Sequence, residues 1–356
     1  MLSFKIPKEK QSMFHQKGLV GLDNIGNTCY LNAIIQCLSK TPHFSKIFLT
    51  GLWEKHINES KKEREFVISL RNLVNGMWGE EGQIIRPITL LDLVKRNVPS
   101  FDGYGQQDAQ EVLTYIIDAL HTGFSKEVNI DISGRPKNHL EKLQIKRMEE
   151  FKKQYKNCYS IILDLFYGWL ISEIKTVDGK QDSYSFTPFS IFPVPIKEKS
   201  IGTLTLEECL DKFGEREILT GDNKWYSDET KEYHDSYKKI TIFQLPNIMV
   251  IMLKRFDPLT RRKLSTLVKF PLTIDFQKHI YHQDLIDDQS DSIYSLYAVC
   301  NHIGDTYGGH YFSYCKMPTT NKWYEFDDTK VKEIGQDDLV TPNAYILFYC
   351  KKKYTI

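Results

Sequence analysis

Asn24-Ile25-Gly26-Asn27-Thr28-Cys29-Tyr30-Leu31-Asn32 sets a glycine and small polar residues directly before a cysteine, and an apolar repeat at Leu31, Ile34, Ile35 and Leu38 follows. That spacing, i, i+3, i+4, i+7, predicts one buried face of a helix. Asn27 or Thr28 suits the N-cap, which leaves Cys29 in the first turn. Unpaired N–H groups and the positive end of the helix dipole favour a thiolate there and predict a lowered pKa. The same N–H groups, with the side-chain amide of Asn24 or of Asn27, can stabilise an oxyanion formed by attack on a carbonyl. Seven cysteines occur, but only Cys29 stands at a predicted helix start behind amide donors. Cys37, Cys158, Cys209, Cys300, Cys315 and Cys350 read as inert, buried thiols.

Outward from this segment the chain divides into two halves. Up to about Ser125 it reads mainly helical. Phe66, Leu70, Leu73 and Met77 mark a second helix, Pro87 opens a third through Leu90, Leu91 and Val94, and Asp108 to Leu120 forms a fourth. Asn138 to Lys156 is charged and reads as a solvent-facing helix or insertion. From about Ser160, β-branched and aromatic residues predict strands at Ile161–Lys175, Tyr184–Ile196, Tyr237–Phe256, Tyr294–His302, Tyr311–Lys316, Lys322–Asp327 and Tyr345–Lys351. Asp284 to Asp291 reads as an exposed loop. A helical lobe followed by a strand-rich lobe is an α+β protein with its site in the cleft between them.

A thiolate in acyl transfer needs an imidazole to protonate the leaving amine and a third group to orient that imidazole. Among ten histidines, His310 follows Gly308-Gly309 and opens the strand Tyr311-Phe312-Ser313-Tyr314. If Lys316 pairs with Asn321 around Met317-Pro318-Thr319-Thr320, His310 faces Asp327, with Cβ atoms about 4.5–5.5 Å apart. A register one residue longer places Asp328 there instead. Both carboxylates stay open at this point.

The 356 residues suffice for a large core, as one domain or two subdomains. A net charge of +1 gives no electrostatic case for nucleic acid or an anionic membrane. The longest apolar runs, for example Ile248 to Leu253, are too short to cross a bilayer, and Lys5, Lys8 and Lys10 precede no apolar block, so no secretory route is expected. An odd, irregularly spaced set of cysteines points to free thiols in a reducing compartment, cytoplasmic or nuclear, and no Cys-x-x-Cys pair suggests zinc.

Together these residues resemble the ubiquitin-specific proteases. Gly21 to Asn32 is similar to that family's cysteine box, and Gly308-Gly309-His310-Tyr311 with Trp323 to Asp328 is similar to its histidine box. Gln106 to Glu111, Leu253-Lys254-Arg255-Phe256 and Ala344 to Tyr349 follow in the family's order, so the resemblance spans about 18–352. It implies a papain-like cysteine protease fold with helical thumb (about 18–125), mixed palm and β fingers (about 161–352), a charged insertion (about 126–160), and residues 1–17 as an extension. It implies Cys29 as nucleophile, Asn24 as oxyanion amide, His310 as base and Asp327 as third member. Asp108, Gly309 and Tyr311 match the channel for the ubiquitin tail, and the loops 257–267 and 302–307 match its gates. The expected reaction is hydrolysis after the C-terminal glycine of ubiquitin, by a monomer that needs no metal or organic cofactor. A catalytically weak ubiquitin-binding scaffold, a protease for another ubiquitin-like modifier and a transglutaminase-type acyltransferase are the alternatives. One departure stands out. Members commonly carry two Cys-x-x-Cys pairs at the fingertips, whereas about 172–182 and 223–233 contain no cysteine here, so the fingers are expected to hold by packing alone.

Overall fold

A computed structural model describes residues 18–79, 82–101, 105, 107–196, 203–257, 260–306 and 308–354. The extension 1–17, Gln106, and Pro258, Leu259 and Tyr307 of the two gating loops lie outside the described residues.

The main helices of the first half are α1 (Cys29–Ser39), α2 (Pro42–Leu49), α3 (Arg64–Met77), α4 (Ile88–Asn97) and α5 (Ala109–Gly123). Every residue of α1 is buried. The expectation of a single apolar face is thus corrected, because α1 is enclosed by other helices on one side and by a sheet on the other. Polar side chains at its end are satisfied internally: Gln36 Nε2 donates to the Val20 carbonyl at 2.9 Å, and Lys40 Nζ donates to Gln36 Oε1 and Ser39 Oγ at 3.0 Å each. Pro87 precedes α4 as its N-cap, and Asp108 caps α5 by accepting from the Gln110 N–H at 2.8 Å.

The charged segment forms α6 (His139–Tyr155), capped by Asn138, with Leu143 as its one fully buried residue. The predicted strand at Ile161–Lys175 starts late, because Ile161–Phe166 is the short helix α7 opened by Ser160. Its five buried apolar residues fit a buried helix as well as a strand, and periodicity over so short a run does not separate the two. Beyond it lie β1 (Gly168–Thr176), β2 (Asp182–Phe189), β3 (Phe192–Pro195), α8 (Leu206–Phe213), β4 (Glu217–Leu219), β5 (Trp225–Ser227), β6 (Glu232–His234), β7 (Ser236–Gln244) and β8 (Ile248–Lys254). The chain continues through β9 (Thr273–Asp275), β10 (Ile293–Gly304), β11 (Gly309–Lys316), β12 (Trp323–Asp327), β13 (Lys330–Ile334) and β14 (Ala344–Lys351). The acidic stretch 284–291 winds into short 3-10 turns that lead to the buried Ser292.

β1, β2, β4 and β7 form a four-stranded sheet in the order β2-β1-β7-β4. The large sheet runs β13-β12-β11-β10-β14-β8-β3, with β9 added on β10. Its strands are apolar on both faces, since Ile248 and Val250 face the helical core while Met249, Ile251 and Leu253 face a second core under α8. A third core, Trp169, Ile171, Phe186 and Phe243, lies beneath α6. The fingertips hold by more than packing, which corrects the expectation above. The Val177 N–H donates to the Asp235 carbonyl at 2.9 Å, Thr176 Oγ1 donates to Asp178 at 2.6 Å, and β5 pairs with β6. No described helix is long and apolar enough to cross a membrane.

Candidate active site

The nucleophile segment turns into α1 through two consecutive left-handed residues, Gly26 (φ 83°) and Asn27 (φ 57°). Thr28 is the N-cap, but its hydroxyl accepts from the Ile25 N–H at 2.9 Å instead of capping the helix. Asn24 Oδ1 accepts from the Thr28 N–H at 3.0 Å, which fixes the plane of that amide. Its Nδ2 donates to Asp328 Oδ2 at 2.8 Å. The other oxygen of Asp328 accepts from Asn32 Nδ2 at 2.8 Å, and the Asp328 carbonyl accepts from the Leu22 N–H at 2.9 Å. One residue therefore ties the loop before Cys29 and the first turn after it to the end of β12. Nothing local in the sequence marks Asp328 or Asn32 for that task.

His310 Nε2 hydrogen-bonds Asp327 Oδ1, and this settles which carboxylate meets the imidazole. The pairing that brings them together differs from the expected one. Lys316 pairs with Trp323 and Ser313 with Phe326, a register two residues longer than pairing Lys316 with Asn321. Asn321 takes a left-handed φ of 58° and belongs to the turn, where its N–H donates to the Met317 carbonyl at 2.9 Å. A shift of two preserves side-chain parity, so His310 and Asp327 still share a face, as diagonal neighbours instead of direct ones. Asp328, at φ 49°, leaves the strand and turns toward the Cys29 loop. With Nε2 engaged by Asp327, Nδ1 is the nitrogen available to a thiol.

Cys29 is 2% exposed, and its sulfur accepts from the backbone N–H of Tyr311, the residue after His310. Burial pushes the thiol above the ordinary thiol range, and the Asp328 carboxylate adds to the rise. The Tyr311, Tyr30 and Cys29 N–H groups work in the opposite direction and are outweighed. The helix-start effect is present, but the expected lowered pKa is corrected: desolvation outweighs it and favours the thiol form.

Asp108 is half-buried and accepts on both oxygens from the Tyr345 hydroxyl at 2.9 Å, and burial raises its carboxyl. Tyr311 is buried beside it, its ring 4.4 Å from that of His302 and 6.4 Å from that of Tyr345. Burial holds His302 neutral, at about 4. Gly309 has no room for a side chain, since a Cβ would collide with the Ile303 carbonyl and the His302 ring. The two gating loops are tied together: Lys263 Nζ donates to the His302 carbonyl at 2.5 Å and to the Gly304 carbonyl at 3.2 Å, and Thr306 Oγ1 donates to the Arg261 carbonyl at 2.8 Å. Beneath them Arg255, fully buried, donates to the carbonyls of Ala344, Leu264 and Thr266. Sequence reasoning placed Tyr345, Lys263 and Arg255 in matching segments but gave them no individual role, because their partners are backbone atoms or acids remote in the chain. Among the described residues, His310, Asp327 and Asp328 are the one His/Cys/Asp/Glu group close enough to share a metal ion, and all three are already bonded within the site.

A family model described as "Ubiquitin carboxyl-terminal hydrolase" matches residues 20–349. "Ubiquitin carboxyl-terminal hydrolase 2" of Bos taurus is 34% identical over 343 residues, 94% of this chain and 55% of that protein. The Gallus gallus protein of the same name is 34% identical over 342 residues and is covered to 93% of its length. The chain thus spans about half the length of the mammalian relatives it matches. Among solved structures, the SAGA Ubp8/Sgf11/Sus1/Sgf73 DUB module bound to ubiquitin aldehyde superposes with a TM-score of 0.74 at 26% identity, over 95% of this chain and 70% of the other. The helical lobe, the two sheets, and the meeting of both boxes at one strand end agree with these likenesses: the chain belongs to the ubiquitin carboxyl-terminal hydrolase family, the ubiquitin-specific proteases.

Proposed function

We propose that residues 18–352 form a catalytic unit that hydrolyses the peptide or isopeptide bond after the C-terminal glycine of ubiquitin, through a thioester on Cys29. The observation that carries this reading is the His310–Asp327 pair at the strand end whose next N–H, that of Tyr311, reaches the Cys29 sulfur. The thiol proton passes to His310 Nδ1 as the sulfur bonds to the glycine carbonyl carbon, and the carbonyl oxygen takes up the electron pair. Asn24, held in plane by Thr28 and Asp328, keeps one amide hydrogen for that oxyanion. Collapse expels the amine with the proton from His310, and a water deprotonated by the same imidazole then frees Cys29 and the ubiquitin carboxylate. Asp327 holds the imidazole in its tautomer and stabilises its charged form.

Burial covers the Cys29 sulfur and favours its thiol form. It also favours a second reading, a ubiquitin-binding scaffold with weak catalysis. A ubiquitin probe carrying a carboxyl-terminal electrophile separates the two. Covalent capture that disappears in Cys29→Ala supports the enzyme, and tight binding without capture supports the scaffold. Release of free ubiquitin from a fluorogenic conjugate, beside tails of other ubiquitin-like modifiers, tests the substrate. Seven free cysteines suit a reducing cytoplasmic or nuclear setting, and we take the active unit to be the monomer.

A further inference from the structure

Helices α6 and α7 close over β1 and the connection between β7 and β8, leaving a cavity of about 730 Å³. None of Cys29, Asn24, His310 or Asp327 lines it. Its size lies within the range of small-molecule sites, roughly 300–1,000 Å³. Trp169, Phe243, Phe151, Tyr155 and Tyr167 give it an aromatic wall.

Into this wall α6 sends Arg147, whose guanidinium carbon sits 5.8 Å from the Trp169 ring centre. Its Nε is buried without a hydrogen-bond partner, and no carboxylate of the described residues lies within ion-pair distance of it. Lys351, 9% exposed, and half-buried Lys46 are further cations on the wall. Three acids line the same cavity: Asp291 pairs with Lys353 and also acts on Lys351, Asp164 accepts from the Tyr159 hydroxyl, and Asp287 is exposed. Burial pushes Arg147 down to about 10. A half-buried guanidinium with no counter-charge is costly, and its planar fork matches a carboxylate or phosphate.

We propose that this cavity binds a small aromatic anion, its carboxylate or phosphate paired with Arg147 and its ring set against Trp169. The site is independent of the thiol chemistry, and its test reads binding alone. Calorimetric titration of the full chain uses three probes: 2-naphthoate, 2-naphthyl phosphate and the neutral 2-naphthamide. Saturable one-to-one binding of at least one anion is expected, with the amide at least about tenfold weaker. The tighter anion identifies the head group. Arg147→Met should bring the anions down to the level of the amide while Tm holds or rises, because an unpaired charge has gone. Equal affinity for amide and anions in the wild type overturns the proposal, as do the absence of saturable binding and undiminished anion affinity in Arg147→Met. If Arg147→Met fails to fold, Arg147→Lys, which keeps the charge without the fork, must weaken the anions severalfold, and unchanged affinity there is equally fatal.

Discussion

Two adjacent carboxylates at the end of β12 do different work. Asp327 holds the imidazole, so Asp327→Asn should lower kcat by about 10³–10⁴ through the wrong tautomer, with KM little changed. Asp328 grips Asn24 and Asn32, so Asp328→Ala should cost less, roughly ten- to a hundredfold in kcat, through a loosened oxyanion amide. Equal losses in steady-state assays would contradict that division of labour. Cys29 carries a further expectation. Since burial raises its thiol, alkylation of the free protein by iodoacetamide, followed by mass spectrometry, should accelerate as pH climbs through and beyond the ordinary thiol range. A rate already at its plateau at neutral pH would reveal a preformed thiolate instead.

At the scale of elements, the β10–β11 hairpin and α1 set the geometry. Gly309 pairs with Gly304 where no Cβ fits, so Gly309→Ala should destabilise by about 1–3 kcal/mol and cut kcat/KM at least tenfold, as read by urea titration and turnover. At the other end of α1, Lys40 is fully buried 4.6 Å from the Phe326 ring centre and beside Cys37 and Cys315, and burial lowers it from 10.5 to about 8. The unfolded chain holds that proton more tightly than the folded one. Stability should therefore increase as pH rises from about 8 toward 10.5, by up to roughly 3 kcal/mol. In Lys40→Met that increment should vanish, which parallel denaturation series at the two pH values will show.

For the whole molecule, α6 is an attachment to the catalytic frame. Phe151 and Tyr155 rest on Trp169 at 6.3 Å between ring centres, and Leu143 enters the same core. Replacing 138–156 by a flexible linker should cost roughly 2–5 kcal/mol in stability while kcat/KM changes less than about threefold. A collapse of activity in a variant that still folds would tie α6 to catalysis. Neither finger stretch carries a cysteine, so EDTA should leave both activity and Tm unchanged, and a loss of either would reveal a metal requirement.

What residues a few positions apart decide could be read from the chain itself. The helix opening at Cys29, the helix beginning at Asp108, the helical-then-stranded order and the shared face of His310 and Asp327 all rest on local periodicity or parity, which neighbours in sequence dictate. Folding in three dimensions decided the rest. Asn321 and Asp328 adopt left-handed backbone, which lengthened the hairpin register by two and sent the second carboxylate to the Cys29 loop. Ile161–Phe166 became a helix because burial accepts either period over six residues. The thiol was raised instead of lowered because desolvation depends on what packs around the sulfur, here a strand that begins 280 residues later at Gly309, and no local pattern encodes that.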